Sequence, residues 1–101
     1  MDVWDVDEHP WLLEEKAVIQ RWVVDLARPF LGICLGHQLL ADALGGRCGH
    51  QQPPEIGVLE VTLTPEGLKD SIFAGMPTVQ RALQWHSVQV VEPPDGAVVL
   101  A

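Results

Sequence analysis

An α/β fold with an open, mostly parallel sheet and flanking helices is predicted by three features of this chain. A short apolar segment, Phe30 to Cys34, follows Arg28-Pro29 and has the pattern of a central parallel strand buried on both faces. A stretch with helical apolar spacing precedes it, and a second helical stretch, Gln38 to Leu44, follows. Between strand and second helix lies Gly32-Ile33-Cys34-Leu35-Gly36, a cysteine flanked by glycines at two-residue spacing. This is the cysteine counterpart of G-x-S-x-G, in which a nucleophile stands on a strained corner between strand and helix.

The elements follow in order. Asp5 to His9 are polar, Pro10 suits a first helical turn, and Glu14 and Glu15 favour its positive end. Trp11, Leu12, Ala17, Val18, Trp22, Val23 and Leu26 then recur at helical intervals, predicting a helix over 10–27. Arg28-Pro29 stops it, because proline cannot continue a helix and restricts the residue before it. Gly45-Gly46 closes the second helix. Arg47 to Glu55, with its prolines, glutamines and glycine, reads as an irregular loop, and Ile56 to Thr64 as a strand ending in a Thr64-Pro65-Glu66-Gly67 turn. Leu68 to Ala74 reads as a short helical turn, and Val79 to Val91 as extended chain with a turn at Ser87. Pro93-Pro94-Asp95-Gly96 is a turn, and Ala97 to Ala101 begins a further apolar strand. The first helix arrives without a preceding strand and the last strand has nothing to pack on, so residues 1–101 are expected to be a partial domain, incomplete at both ends.

Composition narrows the function classes. With 48% hydrophobic residues the 101-residue chain can bury a core. A formal charge of −8 argues against nucleic acid or an anionic membrane surface as partner. No apolar run approaches the roughly 20 residues that span a bilayer. The acidic start, Met1 to Asp7, lacks the basic-then-apolar character of a signal peptide. Two cysteines are too few for a disulfide scaffold, so a cytoplasmic setting is expected. No Cys or His spacing suggests a metal site, and no cofactor is expected.

The chemistry-bearing residues cluster at the glycine-flanked corner. The flanking glycines are expected because a side chain at either position would collide with the neighbouring strand or helix. The helix N-terminus that follows offers its amides to a sulfur anion. Cys34 is therefore the candidate nucleophile.

Gly32-Ile33-Cys34-Leu35-Gly36-His37-Gln38-Leu39-Leu40-Ala41 resembles the nucleophile motif of class I, triad-type glutamine amidotransferases. Pro10-Trp11-Leu12, Pro54 to Gly57, Leu63 to Gly67, Ile72 to Gly75 and Gln84-Trp85-His86 extend the likeness over nearly the whole chain, towards the subgroup similar to the amidotransferase domain of GMP synthase. The resemblance implies a flavodoxin-like open sheet with Cys34 at the carboxyl edge of a central strand. It implies attack of Cys34 on the glutamine side-chain amide, a thioester, and release of ammonia to a synthetase domain or subunit. By the same resemblance the Leu35 amide would face the oxyanion, Gln38 would contact glutamine, and backbone groups of Ser87 and Val88 would hold its amino-acid end.

Three departures bear on activity. The His-Pro-Glu segment carrying the family's base is not in this sequence, nor is the glycine loop that completes the oxyanion hole. Gln84-Trp85-His86-Ser87-Val88 has valine where related sequences tend to carry aspartate. The chain by itself is therefore expected not to turn over glutamine. The alternatives are a non-catalytic amidotransferase-like binding module, or a cysteine peptidase acting on γ-glutamyl bonds. His86 is a tempting base but reads as a hydrogen-bonded ring at the pocket rim. His37, too close to Cys34 to serve it, reads as outward-facing or a local cap. Cys48 reads as incidental, His9 and His50 as surface loop residues, Trp11 and Trp22 as core or interface, and Asp2, Asp5, Asp7 and Glu8 as a solvated face.

Overall fold

The computed structural model describes residues 1–101. Helix α1, Trp11–Gln20, continues through a wider π-type turn over Arg21–Asp25 and stops at Leu26, close to the end expected of it. Ala27 then takes φ 48°, and the Trp22 indole donates to the Pro29 carbonyl at 2.9 Å, folding the exit back on the helix. Trp11 and Trp22, 46% and 44% exposed, lie outside the buried core.

Helix α2 spans Leu35–Ala43 and so begins directly after Cys34, three residues earlier than the apolar spacing suggested. The strand expected over Phe30–Cys34 has no ladder partner, and Ile33 is 74% exposed instead of buried on both faces. The two strands that do form pair with each other, and the segment lies along neither of their outer edges.

Strand β1, Arg47–Thr62, pairs antiparallel with β2, Val79–Glu92, from Arg47 opposite Glu92 to Thr62 opposite Val79. The loop predicted over Arg47–Glu55 is thus the first half of β1. Its register slips between His50 and Glu55, where Pro53 and Pro54 have no N–H for the ladder. Prolines there interrupt pairing without ending the strand. No turn forms at Ser87, because β2 runs straight through it. Thr64 is a helix cap rather than a turn residue: its Oγ1 accepts from the Gly67 amide at 3.0 Å and starts α3, Pro65–Lys69. A 3₁₀ turn over Ser71–Phe73 follows. Ala97–Ala101 is no strand; it is tied back by the Thr64 amide to the Leu100 carbonyl at 3.0 Å and the Thr64 hydroxyl to the Val99 carbonyl at 2.7 Å.

One face of α2 packs on α1 and the other on the ribbon. The core joins Val3, Leu12, Ile19, Leu39 and Val88, so the N-terminal segment, both helices and β2 meet at one point. Lys16 and Asp42, 2.7 Å apart, bridge α1 to α2 at its rim. This core holds the first turn of α2 against the middle of β2, and the candidate site lies between them.

Candidate active site

Cys34 caps α2 with φ 52° and ψ −120°, a backbone region that side-chain-bearing residues rarely occupy and that marks strained functional corners. Three amides of the first turn are already used. Gly36 donates to Ile33 at 2.9 Å, and His37 and Gln38 donate to the Cys34 carbonyl at 3.2 and 3.4 Å. The Leu35 amide has no protein acceptor and remains available beside the exposed thiol.

Gly32 explains how the corner closes. A Cβ there would stand 2.5 Å from the His37 Cα and 2.7 Å from its amide nitrogen, both backbone atoms that cannot swing aside. Gly36 differs from expectation, since a Cβ at that position meets nothing within 4 Å. The helix turns away at Gly36, whereas the incoming chain crosses it at Gly32.

Cys34, Leu35, Gln38, Ser87 and Val88 line one opening of about 300 Å³, together with Trp85, His86 and Asp2 among others. The structure therefore brings all five predicted site residues together, three from the start of α2 and two from β2. Gln38 is buried and its Nε2 donates to the Val88 carbonyl at 3.1 Å. That bond fixes the amide orientation, because a carbonyl can only accept. The Gln38 Oε1, with no protein donor, is left as the acceptor for anything in the opening.

The same Val88 carbonyl lies 3.0 Å from His86 Nδ1, and His86 Nε2 lies 3.0 Å from Glu55 Oε2. Two consequences follow. Both lone pairs of the Val88 oxygen are engaged inside the protein. Both ring nitrogens of His86 face acceptors, so neither is free to take a proton from Cys34. The ring sits at the rim as a clamp on β2.

His37 is half-buried rather than outward-facing. Burial holds its pKa below the ordinary value, the charge of His86 adds to this, and a hydrogen bond with the Cys34 backbone opposes it. Cys48 is less incidental than its composition suggested. It lies in β1, its thiol donates to the Gln38 carbonyl at 3.5 Å, and burial raises its pKa. His50 is on β1, edge-on to Trp4 at 5.0 Å. Two acidic residues escaped sequence reasoning: Glu55, hidden in an apparent loop, and Asp2, part of an acidic run whose other members are not in the opening. Only the fold brings Asp2 to Cys34. No group of three or more His, Cys, Asp or Glu side chains converges as a metal site would require, and no helix is long and apolar enough to cross a membrane.

A family model described as glutamine amidotransferase class-I matches residues 6–101. A glutamine-hydrolysing GMP synthase subunit from Sulfurisphaera tokodaii is 40% identical over 80 residues, 79% of this chain and 41% of that protein. Gamma-glutamyl peptidase 2 of Arabidopsis thaliana is 30% identical over 94 residues, 92% of this chain and 38% of that protein. The crystal structure of a glutamine amidotransferase from Thermotoga maritima superposes with a TM-score of 0.77 at 31% identity, covering 92% of this chain and 39% of that one. The α/β fold is thus that of class I amidotransferase structures, and the chain spans about two fifths of the length of these relatives. Together with the glycine-flanked cysteine corner, the match over residues 6–101 makes this chain a member of the class I glutamine amidotransferase family.

Proposed function

We propose that Cys34 is the nucleophile of a site that hydrolyses the side-chain amide of glutamine and releases ammonia. The observation that carries this reading is the convergence of the Cys34 thiol, the free Leu35 amide and the Gln38 amide on one opening at a strained helix start. The sulfur of Cys34 attacks the amide carbon, and the carbonyl electron pair moves onto oxygen, where the Leu35 N–H donates to it. The proton given up by the Cys34 thiol passes to the amide nitrogen, and collapse then forms the thioester and expels the nitrogen as ammonia. Water then cleaves the thioester to glutamate and restores the thiol. Gln38 and the β2 backbone at Ser87 and Val88 orient the substrate.

These 101 residues supply the nucleophilic and substrate-facing part of an amidotransferase domain. With both His86 nitrogens engaged, no base reaches Cys34 here, so this chain by itself acylates slowly and does not turn over. The ammonia passes to a synthetase domain or subunit, the role suggested by the GMP synthase relatives. Two unpaired cysteines fit a reducing cytoplasm. The test is covalent labelling with 6-diazo-5-oxo-L-norleucine followed by peptide mapping. Adduct on Cys34, absent from Cys34→Ser, supports the reading; a folded sample without adduct refutes it.

A second reading is favoured by the peptidase relative, which is matched over 92% of this chain. A γ-glutamyl peptide offers the same acyl group with a different leaving amine. Protection of Cys34 from alkylation by γ-glutamyl dipeptides but not by glutamine would favour it.

A further inference from the structure

We propose that Asp2 is the specificity-determining residue that selects substrates carrying a free α-ammonium group. The inference rests on the reading of Cys34 and its opening as a glutamyl site. A free glutamine or γ-glutamyl substrate carries a cation on its α-carbon, and leaving that charge unpaired in a partly closed pocket is costly. The opening beside Cys34 must therefore offer it acceptors or a negative charge. The obvious acceptor on β2 is unavailable, because the Val88 carbonyl already receives Gln38 Nε2 at 3.1 Å and His86 Nδ1 at 3.0 Å. The Val88 side chain is apolar and buried, so it supplies no charge.

Glu55 is paired with His86 at 3.0 Å and lines a second, wider opening that shares Cys34, Trp85 and His86 with this one. Among the residues that line the first opening, Asp2 is the sole acid. Its backbone amide donates to the Asp5 carboxylate at 2.6 Å, which pins the residue, and Val3 beside it is fully buried in the core. The Asp2 carboxylate itself has no ion-pair or hydrogen-bond partner in the protein. It is held in place and uncompensated, as an ammonium counter-charge should be, with the Gln38 Oε1 as second acceptor across the opening.

The test compares L-glutamine with N-acetyl-L-glutamine, which lacks the cation, by chemical-shift titration of the full 101-residue chain and its Asp2→Asn variant. Resonances of Leu35, Gln38 and Ser87 report the site. The expected result is at least a tenfold preference for glutamine in the unmodified chain, reduced to near parity by Asp2→Asn with unchanged affinity for the acetylated ligand. Retention of the preference in Asp2→Asn overturns the role of Asp2 alone. An equal loss for both ligands overturns it too, since that marks a structural effect. Absence of any shift with glutamine in the unmodified chain removes the glutamyl-site reading and this inference together.

Discussion

Replacing Gly32 with alanine is expected to force open the corner that carries Cys34. The new methyl would stand 2.5 Å from the His37 Cα, 2.7 Å from its nitrogen and 2.9 Å from its Cβ. Carbon pairs prefer about 3.5–4.0 Å, so the start of α2 must retreat by roughly 1 Å. Overpacking of this kind costs about 1–3 kcal/mol, and two of the three opposing atoms are backbone, which argues for the upper half of that range. At about 4–8 °C per kcal/mol for a domain of this size, the melting temperature should fall by roughly 8–24 °C. Gly36→Ala is the internal control, because its methyl meets nothing within 4 Å and alanine gains up to about 1 kcal/mol over glycine inside a helix. Urea unfolding followed by tryptophan fluorescence gives both stabilities, and timed alkylation gives the accessibility and reactivity of Cys34 in each. A shift of about 1 Å at a nucleophile can cost on the order of 100-fold in rate, so Gly32→Ala should slow labelling by the glutamine-like electrophile as well. Equal stability and equal labelling of the two variants would refute the account of the corner.

The other predictions concern the clamp, the buried histidine and the open apolar surface. Gln38→Leu removes one donor from the buried Val88 carbonyl and should cost about 1 kcal/mol by urea unfolding, since His86 still reaches the same oxygen; a loss above about 3 kcal/mol would mean the clamp does more than hold the strand. The lowered pKa of His37 makes its contribution to stability fully present above its unfolded value near 6.5 and lost as pH falls through the folded value. The urea midpoint should therefore drop on acidification from neutral pH, and His37→Gln should flatten that portion of the profile. Ile33, Leu83 and Trp85 are each more than 70% exposed, and β1 and β2 each leave one edge unpaired, so sedimentation should show concentration-dependent self-association. Leu83→Ser with Trp85→Gln should weaken it, and a concentration-independent monomer would contradict the expectation.

Local chemistry was legible wherever one residue type has one physical use. Proline after Arg28 stopping a helix, apolar residues at helical intervals from Trp11, and Gly32 ahead of Cys34 all act within a few residues of themselves. The family resemblance was carried by that same short corner. Segments whose state depends on a distant partner were not legible. Arg47–Glu55 looks like loop by composition, yet pairing with β2 across some forty residues makes it strand. Phe30–Cys34 looks like a buried strand, yet it lies along neither free edge of the two-stranded ribbon and stays unpaired. Thr64 looked like a turn residue because capping a helix and opening a turn use the same hydroxyl.

By itself, then, the sequence determined the glycine-flanked corner at Cys34, the helix that follows it and the lineage, because these rest on backbone geometry local to Gly32–Gly36. Only the tertiary structure decided what surrounds the thiol. Packing of α2 on β2 turns Gln38 towards Val88, closes both nitrogens of His86 against acceptors, and carries Asp2 from the first turn of the chain to the mouth of the site. Apart from the contact of His86 with the Val88 carbonyl two residues on, each of these joins residues dozens of positions apart, and one-dimensional spacing holds no record of such contacts.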